Sequence, residues 1–461
     1  MLGIQLIILI ILLTLFYTTG GEYQLEIVRY TLVLTLCSLS LLFLCRKKSC
    51  ISKQYLGVSF FFLFIFLIVN FQIGIDYAVE NPNINFEFFF YDVSKISKVI
   101  LLSAIMTVAY NLGSQLSLEK RNRSINTVKE IRIIRIRPLL YMLLFFFLLF
   151  LLTLNTDYVN GGHGKVRINP LSLSFYGVYW RLSIIYMGIV YYNNQHKVNV
   201  RMEKELSILF LLSLLIIGVI FSLAHNRIYI IYLYIPFIFI FLLGRNVRLN
   251  LLSITTGAVA IVFLSTLFKL FDIEALVFDF SSTLNAFKNI DQNPLLLSFS
   301  PATAELAASV YPNSIFYELW TQGFSFYGAT LISNTFKVIP GLLGFGVNLF
   351  NMSKTELDTA VYITDLMNSS YGLGTNCIGD SLINIGFIPT ILVFVFLGYL
   401  FTTSDLRVVN KTRKSLVDIS LWLSIASLVV FIPRSSIFDL IGMLGFNLLF
   451  IYIYPRLLKS S

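Results

Sequence analysis

Apolar runs of 17 or more residues recur along this chain of 461 residues, and each is long enough to cross the hydrocarbon core of a bilayer. No other feature limits the fold so severely. A backbone inside lipid must pair its own N–H and C=O groups, so runs of this kind are read as helices. Composition agrees: 57% of residues are hydrophobic and 13% charged, with a mean hydropathy of +0.80. A soluble chain is nearer half apolar and about a quarter charged. The expectation is an all-α polytopic membrane protein.

Twelve spans are expected, at about 2–17, 26–44, 55–73, 94–112, 139–154, 173–192, 206–222, 227–243, 251–268, 381–401, 416–432 and 437–454. Pro138 suits the first turn of the fifth. The Phe-rich piece from Phe86 to Tyr91 is read as interfacial. The first run, Leu2 to Phe16, has no basic stretch before it and no small-residue cleavage site, so it is read as a retained span. The chain then divides into nine spans over 1–268, a large polar loop with short helices over 269–379, and three spans over 380–461.

The net charge of +10 does not point to nucleic acid, because the basic residues are split among short loops beside the spans. Loops 46–53, 120–137, 197–204, 245–248, 407–414 and 456–459 hold 22 of the 34 Lys and Arg residues. They fall on alternate sides of successive spans without a break. By the positive-inside rule they are cytoplasmic, both termini are cytoplasmic, and the large loop lies outside. The triplet spacing of Arg132 and Arg135 up to Arg137 fits a helix face lying on anionic headgroups. Four cysteines without a CxxC pair predict neither a disulfide framework nor a metal site.

Several arginines oppose this charge gradient: Arg167, Arg181, Arg227 and Arg434 stand at or near the outer ends of spans. An arginine near lipid depth is costly without a partner. Snorkelling or an interhelical ion pair accounts for one alone. Several together can hold a diphosphate without a metal ion, because guanidinium groups grip phosphate oxygens two at a time. Arg167, in a loop, is the weakest of the set. His225, two residues before Arg227, is a second candidate because an ordinary imidazole changes charge near neutral pH, though a turn histidine needs no role. Glu305 and Glu318 read as solvated charges. Asp380 falls at the outer mouth of the tenth expected span. It is a candidate base there, against the alternative of a helix-capping aspartate.

Three local patterns, with the span count and the outer loop, resemble the O-antigen polymerases, also called oligosaccharide repeat-unit polymerases. One is the short turn Ser222-Leu223-Ala224-His225-Asn226-Arg227, where that family often has Ser-Gly-x-Arg. Another is Asn334-Thr335-Phe336-Lys337-Val338-Ile339-Pro340. The third is Gly379-Asp380-Ser381-Leu382-Ile383-Asn384-Ile385-Gly386, where the family commonly reads Gly-Glu-x-x-x-Asn-Phe-Gly. Asp380 stands in for the usual glutamate and Ile385 for phenylalanine.

The resemblance implies a glycosyltransferase of the bacterial inner membrane that needs neither cofactor nor metal. Donor and acceptor would be undecaprenyl-diphosphate-linked oligosaccharides on the periplasmic leaflet, handled among membrane lipids. A chain-length regulator and a flippase are its candidate partners, and nucleic acid is not one. Arg181, Arg227, Arg434 and Arg167 would hold the diphosphate, and Asp380 or His225 would take the proton of the attacking hydroxyl. Nearby arginines would keep Asp380 ionised. Two other readings stay open. An O-antigen ligase would share the fold, but the loop between Phe268 and Gly379 lacks a histidine. A lipid-linked oligosaccharide flippase would have shorter loops.

Overall fold

The computed structural model describes residues 1–20, 24–48, 57–120, 134–155, 157–158, 168–195, 206–224, 227–245, 298, 300–336, 358–369, 373–409 and 414–457. Among these the protein is all-helical, with no strand. Five segments are long and apolar enough to cross a membrane: Gln24–Arg46, Val58–Ala78, Val93–Lys120, Pro170–Asn194 and Phe387–Val408. They mark a membrane protein. Shorter apolar helices stand at 2–18, 137–153, 208–223, 228–244, 416–428 and 439–454, where six further spans were expected. The expected ninth span and the basic stretch containing Arg132 lie outside the described residues.

The centre of the molecule is α4 (Ile96–Lys120), which is buried along nearly its whole length. It is surrounded by α1 (Leu2–Thr18), α2 (Gln24–Lys48), α3 (Val58–Ala78) and, most extensively, α14 (Phe387–Val409). Helices in lipid gain little from apolar burial, so close packing and interhelical hydrogen bonds must hold them. The contact of α4 with α14 uses both. A Cβ at Gly113 would lie 1.8 Å from the Val395 carbonyl oxygen, and one at Gly398 would lie 2.0 Å from that of Tyr110. Only two glycines let the backbones come this near. Ser117 and Thr403 hydroxyls bond across the same seam at 2.7 Å.

A second group of helices comprises α5 (Arg137–Thr153), α6 (Pro170–Asn194), α7 (Ile208–Leu223), α8 (Arg227–Gly244), α15 (Leu416–Leu428) and α16 (Asp439–Leu457). It joins the first through contacts of α15 with α14 and α3. One polar knot ties the junction. The Asp405 carboxylate of α14 accepts the Val58 N–H at 2.8 Å and the Ser59 N–H at 3.1 Å, capping an α3 that has no capping side chain of its own. It also accepts the Ser59 hydroxyl and, at 2.8 Å, the Trp422 indole N–H of α15. Arg46 bonds the same Ser59 hydroxyl, so the basic end of α2 meets a buried acid. Arg46, Lys47 and Lys48 belong to α2 rather than ending it, because this partner lets the helix continue.

At the opposite end of α3 lies a layer of short helices: α9 (Pro301–Ala307), α10 (Val310–Thr321), α11 (Ala329–Phe336), α12 (Thr359–Leu366) and α13 (Cys377–Ile385). Fully buried Asp76 accepts from Ser298 at 2.6 Å and from Asn81 at 2.8 Å. Gln72 exchanges hydrogen bonds with Ser298, Ser300 and Thr303. The layer has its own apolar centre of Ile315, Phe316, Phe326, Ile363 and Ile383. Phe89 and Phe90, read from sequence as interfacial, are instead fully buried. The Tyr91 N–H beside them donates to Ser314 of α10 at 2.9 Å, which folds this piece under the layer.

Candidate functional site

The turn between α15 and α16 forms one side of the site. Pro433 sits in a single 3-10 turn, Ile432–Arg434, which delivers Arg434, Ser435 and Ser436 in sequence before α16 starts at Asp439. An acid in a helix's first turn is favoured by the partial positive charge there.

The opposite side is α13. Asn376 caps it by accepting the Ile378 N–H at 2.9 Å, and its amide donates to Asn70 of α3 and to the Ser309 carbonyl, both at 3.1 Å. These bonds anchor α13 to the bundle. Asp380, one turn in, is fully buried. Its Oδ2 accepts from the Ser436 hydroxyl at 2.6 Å. Asn384 donates to its carbonyl at 2.8 Å and to Oδ1 at 3.4 Å, and Thr359 donates to its carboxylate.

Three elements close the space. Asp358 caps α12 by accepting the Ala360 N–H at 3.1 Å and the Val361 N–H at 3.4 Å. Thr330 of α11 bonds Asn384. The segment leading into α13 supplies Gly374, at φ 72°, and Thr375. Between them is a cavity of about 200 Å³, lined among others by Arg434, Ser436, Asp439, Asp358, Thr359 and Thr375. Thr375 is 5% exposed, and its enclosed hydroxyl has no hydrogen-bond partner among the described residues. Among the described residues no three His, Cys, Asp or Glu side chains are grouped to hold a metal ion.

Two expectations for Asp380 need correction. It does not begin the span. Gly386, at φ 81°, breaks the chain between α13 and α14, so the span starts at Phe387 and Asp380 lies on a separate helix above it. Nor is it held ionised by arginines. Burial is the largest influence on it and raises its pKa to about 6, the Ser436 and Thr359 bonds oppose this, and the charges of Asp439 and Asp358 add to it. Two acids, rather than arginines, dominate its electrostatic surroundings. Its capping alternative also fails, since Asn376 is the cap.

Of the arginines, Arg434 lines the cavity. Arg181 does not: it lies on α6 with its guanidinium carbon 5.1 Å from the centre of the Phe446 ring. Phe446 is seven residues along α16 from Asp439, or about 10 Å at 1.5 Å per residue. The Arg181 Nε is buried without a hydrogen-bond partner among the described residues. The rings of Trp180 and Tyr232, stacked at 4.4 Å, and of Phe431, 4.8 Å from Tyr232, fill the space between α6, α8 and the turn. Arg227 is the first residue of α8, and its side chain lies outside the described residues, as do Arg167, His225 and the side chain of Glu305. Glu318 accepts from Gln322 at 3.1 Å, away from the cavity.

Sequence reasoning missed Asp358, Thr359, Thr375, Ser436 and Asp439. Ser436 and Asp439 follow Arg434 closely enough that the polar turn itself was the available signal. Nothing in linear spacing joins 358–360 to 434–439. No family model, curated protein or solved structure matches the chain.

Proposed function

We propose that this protein is an O-antigen polymerase, a glycosyltransferase that joins undecaprenyl-diphosphate-linked oligosaccharide repeat units on the periplasmic side of the bacterial inner membrane. The observation that carries the reading is the pairing of a buried acid with a cavity-lining hydroxyl, Asp380 with Ser436, beside Arg434. In this reading the chain has about twelve spans, both termini are cytoplasmic, and the helix layer α9–α13 faces the periplasm.

The chemistry balances with these groups. A sugar hydroxyl of the acceptor attacks the anomeric carbon of the donor chain. The new glycosidic C–O bond forms as the bond from that carbon to the diphosphate oxygen breaks. Undecaprenyl diphosphate leaves with the electron pair, and Arg434 offers charge and a two-pronged donor to the developing anion. The hydroxyl proton passes to Ser436, whose own proton moves to Asp380. A carboxyl group with a pKa near 6 is ionised at neutral pH and is a stronger base than an ordinary aspartate.

The test is polymer length in cells that make the lipid-linked repeat unit. Arg434→Ala, at normal protein level, is expected to leave single repeat units on the lipid core and no long chains. Arg434→Lys is expected to restore only part, since lysine lacks the planar fork. Normal polymer in the Arg434→Ala strain overturns the reading.

A further inference from the structure

We infer that Trp180 and Tyr232 are positioning residues for Arg434: Trp180 takes up the backbone carbonyl that Pro236 leaves without its helix partner, and so holds the Tyr232 ring against the turn that delivers Arg434. The role given to Arg434 rests on the transferase reading; the coupling between Pro236 and Trp180 stands without it.

Pro236 lies inside α8. A proline has no backbone N–H, so the carbonyl four residues earlier loses its helical donor. That carbonyl belongs to Tyr232. In a membrane helix the missing donor has to come from a neighbour, and α6 supplies it. The Trp180 indole N–H donates to the Tyr232 carbonyl at 3.1 Å. One turn earlier on α6, the Tyr176 hydroxyl donates to the Tyr229 carbonyl. Trp180 also lies flat on the Tyr232 side chain, with ring centres 4.4 Å apart and planes 16° from parallel. One residue of α6 thus fixes both the backbone and the side chain of one residue of α8. Aromatic packing alone would need the rings but neither the indole N–H nor the proline. Pro236 deprives a single carbonyl of α8 of its N–H, and the Trp180 donor is on that carbonyl.

Tyr232 passes the constraint to the site. Its ring meets that of Phe431 at 4.8 Å, with the planes 64° apart. Phe431 stands immediately before the 432–434 turn and closes it, since its carbonyl accepts the Arg434 N–H at 2.8 Å. The turn has no capping side chain of its own, so the groups packed against it set its position. The Tyr232 phenol also lies within electrostatic range of Asp439 and Arg434 themselves. A guanidinium that must meet a developing anion gains from being held in place before the reaction. Trp180, Tyr232 and Phe431 form a continuous aromatic path from α6 to that guanidinium's own turn.

The experiment is a double-mutant cycle on the full-length protein. It is read by thermal unfolding in detergent and by transfer in nanodiscs, using lipid-linked repeat unit extracted from cells that lack the protein. Trp180→Phe keeps an aromatic ring and removes the N–H, and is expected to lower the unfolding temperature. Pro236→Ala returns an N–H to α8, so the Tyr232 carbonyl no longer depends on Trp180. In that background Trp180→Phe should lower the unfolding temperature by about half as much or less. An equal drop in both backgrounds overturns the inference. In transfer, Trp180→Phe should lower kcat about tenfold or more with KM within about threefold, because Arg434 is present but displaced. Adding Pro236→Ala should restore most of that loss. Unchanged kcat in folded Trp180→Phe overturns the positioning role. Should Pro236→Ala not fold, Phe431→Leu takes its place. It cuts the path at the next ring, so it should lower kcat by a similar factor and add nothing to Trp180→Phe; additive losses overturn the inference. The transferase reading fails separately. If the unfolding cycle shows the coupling while the wild type transfers nothing, or while Arg434→Ala cells polymerise normally, the Trp180–Pro236 clamp stands and the transferase assignment falls.

Discussion

In the proposed transferase Asp380 would take up the proton, and its burial determines how it should respond to pH. With a folded-state pKa of about 6 against 3.8 for the free side chain, the folded protein binds the extra proton between those values. Stability from this group is therefore present at low pH and lost as pH rises from about 4 to about 6. Activity should run the other way. Polymer formation is expected to climb through pH 6 as the carboxylate becomes available. Asp380→Asn keeps the size but removes the base, and should reduce transfer by about 10²–10⁴-fold with the pH step abolished. Assaying transfer from lipid-linked repeat units between pH 5 and 8 measures both. An unaltered pH step in the variant would assign the titration elsewhere. Ser436→Ala removes the link between cavity and acid. It should lower transfer strongly at normal protein level, because the proton of the attacking hydroxyl then has no route to Asp380.

Individual helices are positioned by a few contacts that make specific demands. The α4–α14 seam depends on two glycines whose Cβ positions are occupied by backbone carbonyls. Gly113→Ala would force a carbon against the Val395 carbonyl, and no rotamer relieves a backbone clash. Folded yield in detergent should fall sharply, whereas Gly177→Ala, with open space at its Cβ, should behave as wild type. The Asp405 cap makes a second demand. Asp405→Ala would strand the Val58 and Ser59 N–H groups and the Trp422 indole. Each buried donor left unpaired costs about 1–3 kcal/mol. A marked drop in melting temperature is expected, read by thermal unfolding in detergent, with Asp405→Asn intermediate because its oxygen still accepts. The break at Gly386 acts differently: it lets α13 turn away from α14, so Asp380 points into the layer instead of lipid.

For the molecule as a whole, the expected orientation is a statement about where charge accumulates. Arg46 and Asp405 lie at one end of the bundle, as do Lys120 and Arg407 near the ends of α4 and α14 and Arg245 just past α8. The helix layer and the cavity lie at the other. A reporter active only outside the cytoplasm, fused after Asn313, should be active, and one fused at the C-terminus should be silent. Cytoplasmic signal at Asn313 would place the cavity on the wrong leaflet for lipid-linked repeat units and remove the mechanism with it.

Local sequence alone was sufficient for the helical class, the membrane and most helix positions, because hydropathy and charge act over a single turn or span. Pro138 marked the start of α5 for the same reason, and Asp380 and Arg434 stood out as charges where a span should begin. The sequence did not reveal that Asp380 belongs to its own helix, although Gly386 was visible, because a glycine permits a left-handed residue without requiring one. Packing had to decide it. The rest of the site depends on distances that linear order does not encode. Asp358, Thr375 and Ser436 come from separate segments, and only the docking of α10 and α13 onto α3 brings them around one cavity. The sign of the Asp380 shift was decided there too, since desolvation and two neighbouring carboxylates are properties of the folded interior that residue identity cannot supply.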